Sequence, residues 1–283
     1  MKKILIVLIV GALIVILRSA AFIMLWELPE KPRLISFDAG QGDAILFVVP
    51  GTTIQVLVDG GPDNKIMDEL ENVMPIKDKT IEVVILTHGH EDHLAGLIEV
   101  LDNYEVGLVV DSGAKVEGDL YRRFEEQIEV LKIPRLYAVR GEKIKIGPDF
   151  YLEILHPFYS KALEYKNLNN ASVVMAADFY GSRIVLSGDL EEEGEDEMLD
   201  YLRGKNKSAL LEADILKIGH HGSRTATGDD FLRAVNPNKA IISCGRDNQF
   251  DHPHKETIDK LKERGIETFR TDKLGEVVFD LGK

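Results

Sequence analysis

Cysteine is nearly absent. Cys244 is the only one in 283 residues, which excludes an internal disulfide and a cysteine-built zinc site. Positive charge is scarce as well: 34 lysines and arginines face 48 aspartates and glutamates, for a net charge of −14. Such a chain has no general attraction for nucleic acid, so any polyanion must be held locally. Beyond residue 26 no apolar run is long enough to cross a bilayer, which excludes a polytopic membrane protein. Repeats and low-complexity tracts are missing too, and a 45% hydrophobic content excludes a wholly disordered chain.

The first 26 residues stand apart. They hold Lys2, Lys3 and Arg18 and no acid, so the charge beyond them deepens from −14 to −17. Ile4 to Leu17 is an unbroken apolar run. The basic start, this run and the small residues Ser19 to Ala21 fit a secretory signal. Ile4 to Trp26 is also long enough for an uncleaved anchor if Arg18 snorkels to the surface. The anchor, contacting the membrane through residues 4–26, is the slightly preferred expectation. Either reading puts the remainder outside the cytoplasm, because Lys2 and Lys3 favour an inside N-terminus. A short linker, 27–33, then leads to one domain over 34–283.

That domain reads as strands, then strands alternating with helices. LISFD, AILFVV, TIQVLVD and IEVVILT are strands separated by turn chemistry at GQGD and PGT. Leu94, Leu97, Ile98 and Leu101 recur at helical spacing, as do Leu120, Phe124, Ile128 and Leu131 after the strand VGLVVD. SVVMAADFY and RIVLSG form a hairpin at Tyr180–Gly181–Ser182. The acidic segment 191–200 reads as a solvated helix face. ADILKIG, KAIISC and GEVVFDL are later strands, with a helix through Ile258 and Leu261 that stops at Gly265. Two β-rich halves, each with helices, predict an α+β fold: two packed sheets with helices outside.

Three of the eight histidines fall within six residues, as His88-Gly-His90-Glu-Asp92-His93, between a strand and a helix. Side chains at a strand end are held firmly yet project into open space. Imidazoles and a carboxylate placed there can converge on divalent cations. In an extended loop His88 and His90 point the same way, while Asp92 and His93 at the turn can face a second cation.

THGHEDHLAG resembles the signature of the metallo-β-lactamase superfamily, whose fold is a four-layer αββα sandwich with a dinuclear metal site at one edge. LVDGG with Asp59, LSGDL with Asp189 and ILKIGHHGS with His220 resemble that family's other motifs. FDAGQGDAIL, VDGG, NNAS, LSGDL, LKIGHHGS and HPH are similar to the hydrolase domain of ComEC-type DNA-uptake proteins, here without their channel. The resemblance implies His88 and His90 at a first metal, Asp92, His93 and His220 at a second, and Asp189 bridging. Zinc is the expected pair of ions, with manganese as the alternative. It implies a supporting role for Asp59. It also exposes a departure: the loop before LSGDL has no histidine, and Asn169 or Asn170 stands in its place. The match favours His220 as ligand with His221 orienting a neighbour, or the two roles reversed.

The remaining polar residues frame the chemistry. Asp38 and Asp43 flank Gly40-Gln41-Gly42, which reads as a structural tight turn or one with a direct role, and which the resemblance implies lies near the metal edge. His252 and His254 flank Pro253, and one of them would protonate a leaving group or touch a phosphate; the alternative is a helix-capping turn. Ser223 and Asn248 are further candidates for orienting ligands or contacting substrate, and His156 reads as structural. The catalytic set is then Asp92, Asp189 and His254 in a metal-activated-water hydrolase. Its expected substrate is a phosphodiester, as in a nuclease, or another small anionic substrate; a small ester, lactone or nucleotide is the alternative, and a metal-binding module without turnover a further one. DNA is opposed by the acidic charge, with Lys217, Arg224 and Arg246 the local cations for a phosphate.

Overall fold

The computed structural model describes residues 28–75, 78–158 and 164–282. The expected signal or anchor at 1–26 lies outside them. Among the described residues no helix is long and apolar enough to cross a membrane.

Two seven-stranded sheets form the centre. The first contains β1 (Arg33–Ser36), β2 (Ile45–Val48), β3 (Gln55–Val58), β5 (Val83–Leu86), β7 (Val109–Asp111) and β8 (Arg135–Tyr137), with β16 (Val277–Asp280) paired outside β1. The short strands β4 (Thr80–Ile81) and β6 (Glu105–Val106) pair separately. The second sheet contains β9 (Lys143–Gly147), β10 (Phe150–His156), β11 (Val174–Phe179), β12 (Ser182–Leu186), β13 (Ile215–Lys217), β14 (Lys239–Ile242) and β15 (Glu267–Arg270).

Apolar residues on both faces of these strands explain the layering. One set, including Leu34, Phe47, Val58, Phe150, Phe179 and Ile241, fills the space between the sheets. The rings of Phe47, Phe150 and Phe179 meet there with centroids 4.6–5.2 Å apart. The opposite face of the first sheet packs on α1 (Lys65–Val73), α2 (Glu91–Asn103) and α3 (Asp119–Leu131). The opposite face of the second packs on α4 (Glu192–Gly204), α5 (Asp229–Val235) and α6 (Lys255–Glu263). A short α7 (Thr271–Leu274) follows β15. The expected αββα sandwich is the observed one, and the β11–β12 hairpin pairs as read.

One expectation needs correction. The acidic segment is not solvated throughout, because Glu195 turns inward beside Met198 and Leu199 and is buried.

The fold places the chemistry through its parallel strands. β3, β5 and β7 run parallel in one sheet, and β12, β13 and β14 in the other. Asp59 follows β3, His88 follows β5, Asp189 follows β12, His221 follows β13 and Ser243 follows β14. All lie just beyond strand C-termini, the open edge where α/β sheets hold ligands.

Candidate metal centre

Asp59 organises the histidine loop from below. Its Oδ1 accepts the Thr87 N–H at 2.8 Å, and its Oδ2 accepts the Thr87 hydroxyl at 2.7 Å. Oδ2 also lies 2.8 Å from His93 Nδ1. A carboxylate there demands an Nδ1–H, which leaves Nε2 of His93 as the nitrogen facing the site. His221 is set the same way, with Nδ1 3.0 Å from the carbonyl of Ser243. His88 Nδ1 lies 3.2 Å from the Thr87 hydroxyl oxygen, whose own hydrogen goes to Asp59.

Glycine lets the backbone close around this arrangement. A Cβ at Gly42 would lie 2.2 Å from the carbonyl oxygen of Asp92, and one at Gly96 only 1.9 Å from that of Gly60. The GQGD turn and the Asp59 turn therefore press directly on the segment carrying Asp92 and His93.

The atoms left over converge. Asp92, His93, Asp189 and His221 each offer a ligand atom, all within 4.8 Å of one another. Asp189 Oδ2 is 3.3 Å from His93 Nε2 and 3.3 Å from His221 Nε2, and Asp92 Oδ2 is 3.2 Å from His221 Nε2. The Nε2 atoms of His93 and His221 are buried and have no hydrogen-bond partner. Beside them His88 Nε2 and His90 Nδ1 stand 3.0 Å apart, with His88 Nε2 4.0 Å from Asp189 Oδ2. Unpartnered imidazole nitrogens around one carboxylate fit a pair of divalent cations, each of which would take the place of a proton.

Electrostatics follow the burial. Burial opposes charge on His93 and His221, yet the surrounding carboxylates, Asp189 foremost, outweigh it and hold both well above the ordinary value. Burial and the neighbouring His93 push His88 well below it. For Asp92 burial works upward, but His93 and His221 prevail and keep its carboxyl ionised.

His220 does not join the converging set. His220 and His221 have φ of 48° and 54°, consecutive left-handed residues after Gly219. The backbone thereby sends their rings apart, with centroids separated by 6.1 Å. His220 Nδ1 instead faces Glu191 Oε1 at 3.1 Å. The geometry thus places His221, not the favoured His220, with Asp92 and His93.

Other expected residues have local duties. The side-chain oxygen of Asn170 accepts the Glu191 N–H and its amide donates to Glu193. In contrast, Asn169 donates to Glu191 while its Oδ1 is buried without a partner, so it is the asparagine with a spare acceptor. Ser223 closes a turn with Thr225. Asn248 braces the loop before α6. His156 has a structural place, its Nε2 bonded to the Asn170 carbonyl at 2.9 Å. His254 precedes α6 and accepts the Arg224 N–H on Nδ1 at 3.0 Å, so its proton sits on Nε2. His252 sits between these groups, its ring centroid 5.4 Å from that of His220, 6.3 Å from His221 and 4.9 Å from His254. Burial and those three histidines push its pKa down to about 4.

Lys217 cannot serve a phosphate as expected. It is 1% exposed on its side chain, ion-paired to Asp43, bonded to the Gly188 carbonyl at 3.1 Å and 3.6 Å from Asp189 Oδ1. Asp43 in turn places Oδ1 3.5 Å from His221 Nδ1. Thr87 and this Asp43–Lys217 pair are central to the site although sequence reasoning assigned none of them a supporting role there. The one available signal is position: each lies inside a motif, at THGH, GQGD and LKIGHH.

With this geometry in view, comparison with known proteins is decisive. The family model described as the metallo-beta-lactamase superfamily matches residues 37–246. The chain belongs to the metallo-β-lactamase superfamily. ComE operon protein 3 of Bacillus subtilis is 29% identical over 271 residues, covering 89% of this chain and 33% of its own length. Recombination protein 2 of Haemophilus influenzae is 30% identical over 251 residues, covering 84% and 28%. Competence protein ComA of Neisseria gonorrhoeae is 26% identical over 260 residues, covering 90% and 33%. This chain thus spans about a third of the length of these curated relatives. Among solved structures, the metallo-β-lactamase fold protein YhfI of Bacillus subtilis superposes with a TM-score of 0.59 at 13% identity, covering 88% of this chain and 99% of that one. The superfamily and fold expected from the sequence stand.

Proposed function

We propose that this superfamily member is a dinuclear metal hydrolase acting on phosphodiesters. The reading is carried by the buried, unpartnered Nε2 atoms of His93 and His221 directed at Asp189. His88 and His90 would hold one cation and Asp92, His93 and His221 the other, with Asp189 shared; Asn169 Oδ1 is available to complete the first. Zinc suits the imidazoles, and manganese the oxygen ligands Asp92, Asp189 and Asn169. Bound cations would supply a water acidified towards neutral pH and offset charge on the leaving oxygen. The protein's own part is to hold the imidazoles in one tautomer and to offer a proton from His254 Nε2 to the leaving group. Arg224, exposed at the same rim, is a local cation for a phosphate.

The competence and recombination names of the relatives favour a nucleic-acid phosphodiester over a lactone or β-lactam. The anchored, extracytoplasmic reading of residues 1–26 is compatible with such a role. The test is hydrolysis of bis(p-nitrophenyl) phosphate by the full chain with added manganese or zinc, beside a lactone and a β-lactam. Turnover confined to the phosphodiester supports the reading, and turnover of the lactone alone replaces it.

A further inference from the structure

Phe250 is one of the few large apolar side chains left on the surface, 51% exposed. Its position is close to the metal centre. Its ring lies on that of His252, with centroids 5.7 Å apart and planes 27° from parallel. His252 is itself the neighbour of His220 and His221. A path of rings thus leads from a proposed metal ligand to an exposed aromatic surface.

The loop presenting Phe250 is firmly braced. Asn248 Oδ1 accepts the N–H groups of Phe250 at 3.1 Å and His252 at 3.0 Å. Its Nδ2 donates to the carbonyls of Gly245 at 2.9 Å and His252 at 2.6 Å. Gln41 accepts the Gly245 N–H at 3.1 Å, tying this loop to the GQGD turn. One side chain meeting four backbone groups is the construction of a preformed surface, which loses little freedom when something lands on it.

A cation stands at the same rim. Arg224 is exposed, its backbone N–H holds His254, and its guanidinium has no carboxylate partner among the described residues. Arg203 and Arg233, by contrast, are paired with Asp230, while the exposed Arg246 on the Phe250 loop bonds only the Asp272 carbonyl and is a second cation free of a carboxylate among the described residues. A ligand with a flat apolar ring at one end and an anion at the other matches these two features together.

We propose that Phe250 is a stacking platform for a nucleobase, whose phosphate lies towards Arg224 and the metal centre. The substrate class is then a nucleotidyl phosphodiester, such as a single strand, rather than an alkyl one. Single-strand binders combine local positive charge with aromatic side chains on which bases stack, and the stacking share does not depend on the base sequence. The stack would add affinity that the net charge of −14 does not supply. The proposal rests on the phosphodiester reading for its chemistry, but its binding test does not depend on turnover.

The experiment is calorimetry on the full chain with a thymidine tetranucleotide and with the same sugar-phosphate chain lacking bases. The native protein should prefer the tetranucleotide by roughly 10-fold or more, the scale of losing one base–aromatic stack. Phe250→Ala should bring the ratio of the two affinities to about one, and Phe250→Trp should keep it. Equal binding of both ligands by the native protein, or a preference that survives Phe250→Ala, would overturn the platform. The two readings fail separately. Phe250-dependent preference without phosphodiester hydrolysis keeps the platform and sinks the hydrolase reading. Hydrolysis without base preference does the reverse.

Discussion

Lys217 Nζ lies 3.6 Å from Oδ1 of Asp189, while the other oxygen of that carboxylate faces the imidazoles of His93 and His221 at 3.3 Å each. The carboxylate is therefore divided. One oxygen is neutralised from inside the protein, and a single oxygen remains to be shared between cations. Lys217→Met should leave Asp43 and Asp189 buried without their cation and destabilise the metal-free protein by about 3–5 kcal/mol. Denaturant unfolding measures this, and Lys217→Met combined with Asp43→Asn should recover part of the loss. An undiminished midpoint in the single variant would show the pair to be idle.

Metal content tests the ligand partition. Elemental analysis in metal-supplemented buffer should approach two divalent cations per chain. His88→Ala and His93→Ala should each lower it, at different sites. His221→Ala should lose a cation, whereas His220→Ala should keep both. The opposite result for the last two would restore His220 as ligand.

Turnover separates ligand from proton donor. Asp189→Ala should abolish hydrolysis of every substrate, because the shared ligand is gone. His254→Ala should keep its metals and lose roughly 10²-fold in kcat, the scale of a missing general acid. Unchanged kcat would make His254 only the residue that starts α6.

Glu195 predicts a pH dependence of stability. Burial raises its pKa from 4.5 to about 7, against the N–H groups of Thr227 and Gly228 that bind its carboxylate. The folded state therefore holds this proton more tightly than the unfolded chain does. Its favourable contribution is complete below 4.5 and is lost as pH climbs to about 7. The scale is about 3 kcal/mol at about 1.4 kcal/mol per pKa unit. Glu195→Gln should flatten the fall of Tm across that window, and an unchanged slope would assign it to other groups.

Topology is testable without purification. A C-terminal reporter that works only outside the cytoplasm should be active in the full chain and lose activity when residues 1–26 are deleted. A reporter active only inside would reverse the orientation inferred from Lys2 and Lys3.

Much of this was legible in the residues. Runs such as ILFV and VVIL are apolar on both faces because both faces are covered, and they marked the sheet strands. Three histidines within six residues marked the metal edge. What stayed hidden has physical causes. The choice between His220 and His221 depends on the sign of φ at two successive residues. The inward turn of Glu195 and the burial of Lys217 depend on partners 32 and 174 positions away, Thr227 and Asp43. Helix α1 carries only Ile66 and Leu70 as fully buried contacts, too sparse a stripe to stand out beside its acids.

The pairing of β16 with β1 has a consequence for synthesis. Residues 277–280 complete the sheet whose first strand is residues 33–36. While the chain is still emerging from the ribosome, β1 has an open outer edge, and Leu34 lacks its partner Phe279. Synthesis must reach residue 280 before that edge closes, so this sheet cannot finish folding while the residues before it are being translated. Chains arrested before residue 277 should accordingly remain prey to proteases and to strand-pairing with one another, although every residue of the metal centre has already been built.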